Sequence, residues 1–295
     1  MERREDKIIE KTNESFDNYF TKVNIDLYNG YSKEFVDYLF KEFGDKWDFH
    51  LKFESEKYYP LTLLGNQETL KDIHNLPDNV YYYIKKRDGS YGRHITITKN
   101  PHSYFINNKE KNQYVIQREI NSLLYKNRKF DYRIYLLILK KDNKIKYGYY
   151  KKYVIRNCVR DMNSETDKYS KITNHHIYSL EGLDKDFYIL SDDFELDHSK
   201  KINRLNERVL DKIKEYENDF YNLLGDKQFR ILGIDYIVER GTDKLYLLEI
   251  NITPGVYYKN VSDDFFIKYN NFHYDMICEL NDIIYNNKII NYVFV

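Results

Sequence analysis

The chain has 295 residues, enough to bury a sizeable core in one large or two to three small domains. Its 47 Lys+Arg balance 47 Asp+Glu, so net charge selects neither nucleic acid nor an acidic partner. Cys158 and Cys278 are isolated, which excludes a CxxC zinc site and a disulfide framework. No apolar run reaches the length of a membrane span, and the start MERREDKIIEK is charged, without a signal-peptide core. The expectation is a soluble monomer of a reducing, cytoplasmic compartment, with no nucleic-acid or membrane partner.

In chain order, Ser32–Phe43 places Phe35, Leu39 and Phe43 at four-residue spacing, which predicts a helix stopped by Gly44. Trp47–Leu51 reads as a short strand, and Asn66–Leu76 as a helix ended by Pro77. Val80–Lys85 and His94–Thr98 read as strands around a polar loop holding Gly89, Ser90 and Gly92. Such a loop is either a plain hairpin turn or a phosphate cover reached by a lysine leaving the first strand. Tyr114–Ile120 predicts a strand with a polar end.

Arg128–Leu139 (RKFDYRIYLLIL) alternates Lys129, Asp131 and Arg133 with apolar residues, so the three share one strand face. That face is either salt-bridged to solvent or the mouth of a site. Lys140–Lys152 predicts a hairpin with its turn near Asp142 and Asn143. Its basic character suits either a solvated loop or an acidic peptide. Tyr153–Arg160 is an apolar strand whose Arg156 needs a carboxylate or an anionic ligand. In Lys171–Tyr178 the adjacent His175 and His176 would point to opposite faces of a strand, which argues against a two-histidine metal site.

Ser179–Lys200 reads as an exposed acidic insertion, and Asn203–Leu224 as one long amphipathic helix closed by Gly225. Ile231–Val238 and Leu245–Ile252 predict a hairpin. A loop centred near Thr242 puts Asp235 across from Glu249, with Asn251 on the same face. Three oxygen-bearing side chains there fit either a wet face or a hard cation such as Mg²⁺. Phe265–Tyr285 predicts a closing amphipathic helix.

Taken together, these features run in one order: a strand lysine before a Gly/Ser loop, Q-x-x-I, K-F-D-x-R, T-N-H, then L-G-x-D…L-E-I-N-x-x-P. Over residues 82–255 the chain resembles the tubulin tyrosine ligase and tubulin polyglutamylase family, within the ATP-grasp superfold. The resemblance implies an α+β fold with nucleotide held between two α/β subdomains. The predicted elements before it suggest a small N-terminal α/β domain at 1–76, and the resemblance implies a central subdomain at 77–126 and a C-terminal subdomain with a closing helix at 127–295. It implies ATP and Mg²⁺ as cofactors. It also implies ligation of a free amino acid of tyrosine, glutamate or glycine type to a protein carboxylate through an acyl phosphate, with an acidic tail such as that of tubulin as acceptor class.

By the same resemblance Lys85 binds ATP phosphates, and Gly92, Arg93 and Ile95 belong to the flexible phosphate cover. Gln117, Arg118 and Ile120 hold adenine at the hinge. Lys129 and Asp131 make further ATP contacts, Thr173 and Asn174 meet the nucleotide, and Arg133 and Arg156 lie near the transferred phosphate and the amino acid. Asp235, Glu249 and Asn251 hold magnesium. The chain departs from the family at Lys86, His94, Glu119, His175 and His176; the last two stand where glutamate-adding members often show Tyr-Ser, which puts glutamate as the added amino acid in doubt. An ATP-grasp ligase of small molecules or peptides and a non-catalytic nucleotide-binding member are the alternatives.

Overall fold

The computed structural model describes residues 33–65, 70–89, 94–107, 113–162, 167–173, 187–254 and 264–295. Two antiparallel sheets organise them. The smaller has strands β1 (Thr62–Leu64), β2 (Tyr82–Lys86), β3 (Thr96–Thr98) and β4 (Tyr114–Arg118) in the order β1-β4-β2-β3. The larger has eight strands. Its spine is β11 (Leu245–Asn251), β10 (Phe229–Val238), β6 (Arg128–Lys141), β7 (Lys144–Tyr150) and β12 (Tyr292–Phe294), in that order. The short strands β5 (Leu124–Tyr125) and β8 (Val154–Asn157) pair with β6, and β9 (Tyr188–Leu190) pairs with β8.

The long strand β6 is the axis of the large sheet because its alternation sorts two cores. Phe130, Tyr132, Ile134, Leu136 and Ile138 face one core with helices α1 (Lys33–Leu39), α2 (Lys46–Phe53) and α6 (Ser199–Lys214). Tyr135, Leu137 and Leu139 face the other, beneath a long C-terminal helix at Asp264–Asn286. Lys129, Asp131 and Arg133 lie on this second face, where the apolar filling gives way to charge. All three are buried, so the solvent-face reading of this stretch does not hold.

Local chemistry explains the elements. The expected hairpin turn at Asp142 and Asn143 forms with both residues at positive φ, 54° and 57°, the conformation a two-residue hairpin demands. Helix α1 continues as a π-helical turn to Gly44. Trp47–Leu51 is helical rather than a strand, because Asp45 caps α2 by accepting from the backbone N–H groups of Trp47 (2.8 Å) and Asp48 (3.1 Å). The predicted helix at 203–224 starts earlier, at Ser199, and is broken at Glu215 and Tyr216 into α6 and a second helix at Glu217–Leu223.

Within the acidic stretch 179–200, the described residues 187–200 are not an exposed insertion. Phe187 and Tyr188 are buried and β9 extends the large sheet. Of the helix expected at 66–76, Leu70–His74 is present and 66–69 lie outside the described residues. The charged stretch 1–21 lies outside them too. Strands β1 and β12 and a helix at Pro101–Asn107 were not anticipated; each is too short to carry a periodicity.

One glycine matters to the site. Gly233 on β10 sits under Pro254 and Arg133, and a Cβ there would come within 2.8 Å of Pro254 Cβ and 3.2 Å of Arg133 Cδ. We therefore expect Gly233→Ala to destabilise the fold by about 1–3 kcal/mol through overpacking. Urea denaturation checks this; an unchanged midpoint would show that Pro254 yields freely.

Candidate active site

A cleft of about 730 Å³ opens between the two sheets. Lys85, Ile95, Gln117, Arg118, Ile120, Lys129, Asp131, Arg133, Arg156, Thr173, Asp235, Glu249 and Asn251 all line it. Gly92, Arg93 and Asn174, with His175 and His176, lie outside the described residues. Residues spread from Lys85 to Asn251 are gathered because four large-sheet strands, β6, β8, β10 and β11, and two small-sheet strands, β2 and β4, bring them to the same opening.

At the floor, strand register brings opposite charges face to face. Asp131 on β6 pairs across from Arg156 on β8, and Arg133 on β6 across from Asp235 on β10. Arg156 grips Asp131 with two bonds of 2.7 Å and reaches Asp235 at 2.8 Å. Arg133 grips Asp235 with bonds of 2.5 and 3.0 Å. Thr173 also donates its hydroxyl to Asp131. Four buried charges thus sum to zero, each satisfied by its neighbours. Burial would raise the Asp235 carboxyl, but the charges of Arg133 and Arg156 outweigh it and hold it well below the usual carboxylate range. Arg156 therefore has the partner its mid-strand position required.

Asp235, Glu249 and Asn251 come together on one face of the hairpin, with a detail the sequence did not show. Asp235 pairs directly with Glu249, and Gly233 with Asn251. Nearer the turn, Tyr236 pairs with Leu247, so Leu248 is an extra residue in a β-bulge. Without that bulge Asp235 would face Leu248. Asn251 Nδ2 lies 3.3 Å from Asp235 Oδ2 and 3.4 Å from Glu249 Oε1. Among the described residues no three His, Cys, Asp or Glu side chains form a metal cluster. The donor set is instead two carboxylates and an amide, which suits a hard, oxygen-seeking cation once the Asn251 amide turns its oxygen inward.

Across the cleft, Lys85 donates to Gln117 Oε1 at 2.7 Å, and Gln117 leans on Thr62 at 3.3 Å. Burial pushes the Lys85 ammonium down to about 8, with Glu249 opposing and Lys46 and Lys129 reinforcing the shift. A second polar network joins the sheets. Lys129 donates to the Tyr83 hydroxyl (2.7 Å), which reaches Glu119 (2.9 Å), and Lys171 contacts both Glu119 oxygens (3.3 and 3.4 Å). Glu119, the departure from the hinge aromatic, thereby ties small sheet to large.

Several lining residues escaped sequence reading: Lys46, Tyr83, Lys171, Tyr188 and Tyr269. Tyr188 and Tyr269 stack with ring centroids 4.7 Å apart. Beside them His273 is fully buried between the Tyr269 carbonyl (2.9 Å from Nδ1) and the Tyr135 hydroxyl (2.6 Å from Nε2). Burial pushes its imidazole down to about 3, so it is neutral, donating from Nδ1 and accepting at Nε2. A helix-borne histidine of this kind carries no spacing signal.

The two acidic members of the cation face differ in what they support. Asp235→Asn strands Arg133 in the floor and should cost about 3–5 kcal/mol of stability, whereas Glu249→Gln, which breaks no ion pair, should cost less than about 1 kcal/mol. Denaturant midpoints of the two variants test this contrast; equal losses would contradict it.

The model of the Tubulin-tyrosine ligase family matches residues 45–268 of the chain. A search of the curated proteins finds no match. The matched span contains most of the cleft lining, and both sheets apart from β12; Phe40, Phe43, Gly44 and Tyr269 of the lining lie just outside it. The family has the ATP-grasp fold, which accounts for the two sheets facing each other across a cleft, and its members are in general ATP-dependent ligases that use Mg²⁺ and act on proteins. No described helix is long and apolar enough to cross a membrane. Three-quarters of the chain, including every described site residue expected from the sequence, thus falls within one family match, and the chain belongs to the tubulin-tyrosine ligase family.

Proposed function

We propose that the chain joins a free amino acid to a carboxylate of a protein acceptor with an acidic tail, using ATP. The observation that carries this reading is the placement of Lys85 and Gln117 on one wall of the cleft, opposite Asp235, Glu249 and Asn251 on the other. A nucleotide needs one wall of cations and one wall able to hold a counter-cation. Lys85 supports the first requirement and the Asp235, Glu249 and Asn251 oxygens support the second, and Gln117, Arg118 and Ile120 line the cleft where the base would sit.

The chemistry follows from the weakness of a carboxylate as an electrophile. An acceptor carboxylate oxygen attacks the terminal phosphorus of ATP, the bond to the bridging oxygen breaks, and ADP leaves with its electron pair. The amino acid's amine then attacks the acyl carbon, phosphate departs, and the amine proton passes to solvent. Such transfers depend on positioning and charge neutralisation. Lys85 neutralises phosphate oxygens from the small sheet. Arg133 and Arg156, held rigidly by Asp235 and Asp131, present guanidinium edges to the transferred group and to the tetrahedral adduct. The amide Asn251 and the carboxylates Asp235 and Glu249 would hold magnesium, which supplies further neutralisation of the phosphates. Thr173 orients Asp131.

The direct test is mass spectrometry of acidic-tailed acceptors, tubulin included, incubated with ATP, Mg²⁺ and each amino acid. An increment of one residue mass or a multiple supports the proposal. ATP turnover with a small-molecule acid and no protein increment would contradict it. In the same assay Glu249→Gln should lower turnover by about a hundred- to a thousandfold.

The low Lys85 value adds a pH prediction. The free ammonium is charged below about 8 and loses its proton above that value. Nucleotide affinity should therefore fall as pH rises through about 8, with proton uptake on binding near that pH, and Lys85→Arg, which stays charged, should flatten the dependence. Calorimetry in buffers of different ionisation heat checks both; a flat wild-type profile would contradict the role of Lys85.

A further inference from the structure

No motif marks Tyr83, yet it joins the two sheets. It lies two residues before Lys85 on β2, so both side chains project to the cleft face of the small sheet. They use the neighbouring strand in the same way. Tyr83 stands opposite Gln117 and Lys85 opposite Val115, and each reaches a side chain two residues further along. Lys85 donates to the Gln117 amide oxygen at 2.7 Å, and Tyr83 donates to Glu119 at 2.9 Å. Glu119 lies just past β4, but its backbone N–H donates to the Tyr81 carbonyl at 2.8 Å, which carries the pairing on to it.

The large sheet meets this arrangement with two lysines. Lys129 donates to the Tyr83 hydroxyl at 2.7 Å and lies 4.8 Å from the centre of its ring. Lys171 contacts Glu119 and lies 3.9 Å from the centre of the Tyr81 ring. The side chains of Glu119, Lys129 and Lys171 are 11, 7 and 1 % exposed, so they must compensate one another. Among the described residues Glu119 is the one carboxylate within ion-pair reach of either lysine, at 3.7 and 3.3 Å. Two ammonium groups thus share one carboxylate, and one positive charge is left for a ligand to satisfy. Both lysines line the cleft, whereas Glu119 does not. The Tyr83 hydroxyl takes one N–H of Lys129 and gives its own proton to Glu119, which leaves the other Lys129 N–H groups to the cleft. A lysine ordinarily swings on a flexible four-carbon stem; this one is held by a ring face and a hydroxyl.

We infer that Tyr83 and Glu119 are positioning residues, which fix the Lys129 ammonium against the nucleotide, and that Lys171 supplies the charge that keeps Glu119 in place. The inference rests on the nucleotide reading of the cleft. It gives a role to the carboxylate at 119, where the chain departs from the hinge aromatic.

The test is a double-variant cycle on the full chain: calorimetric titration of wild type, Tyr83→Phe, Lys129→Met and the double variant with a non-hydrolysable ATP analogue in Mg²⁺. Tyr83→Phe keeps the ring and removes only the hydroxyl. It should weaken the analogue by about three- to tenfold in the wild-type background and by less than about twofold beside Lys129→Met, where there is no ammonium left to place. Glu119→Gln, which keeps the shape and removes the charge, should follow the same pattern. Undiminished affinity in Tyr83→Phe would overturn the inference. Equal losses in the two backgrounds would also overturn it, showing that Tyr83 acts only by holding the sheets together. If the wild-type chain did not bind the analogue, the reading of the cleft itself would fall, a result distinct from either.

Discussion

The buried ionic floor formed by Asp131, Arg133, Arg156 and Asp235 is the constraint on which the rest depends. It lies where β6, β8 and β10 run side by side, and each strand contributes charge on the face that carries the C-terminal helix, at the end where the apolar filling stops. Isolated, any of these groups would be costly at this depth. Together they are neutral and hydrogen-bonded, so the sheet can carry charge into its interior. The same pairing makes the arginines rigid. A ligand meets guanidinium groups already oriented, and does not have to order them on binding.

The floor also explains why the opposite wall differs. Lys85 leans on a neutral oxygen and keeps its attraction for an anion, while Glu249 stays out of ion pairs and keeps its attraction for a cation. The site is thus divided into a self-satisfied base and an unsatisfied rim. Gly233 and the Leu248 bulge are the backbone devices that allow this. The first leaves room for Arg133 beneath Pro254, and the second turns Glu249 to the cleft side of its hairpin.

Much of this was legible in the sequence because strands alternate. The common face of Lys129, Asp131 and Arg133, and that of Glu249 and Asn251, follow from period two alone, whereas the place of Asp235 opposite Glu249 depends on the Leu248 bulge. The Asp142–Asn143 turn follows from its residue types. The partner of Arg156 was not legible, because it depends on β8 lying beside β6, a fact of sheet order. Trp47–Leu51 misled through its aromatic content, although Asp45 with Asp48 behind it was an available capping signal. Tyr188 hid in an acidic stretch, and Tyr269 and His273 lie on a helix whose inward positions look like ordinary core. Lys46 had no signal beyond its place at a helix start.

The central claim is that one cleft holds a nucleotide with its phosphates between Lys85 and the Asp235–Glu249–Asn251 wall. A crystal structure of the chain with Mg²⁺ and a non-hydrolysable ATP analogue tests it most directly. The account predicts the base beside Gln117 and Ile120, phosphate oxygens on Lys85, and a cation touching Glu249 with the Arg156–Asp131 pair still formed. A nucleotide bound elsewhere, or phosphates pointing away from Glu249 with no cation between them, would contradict it.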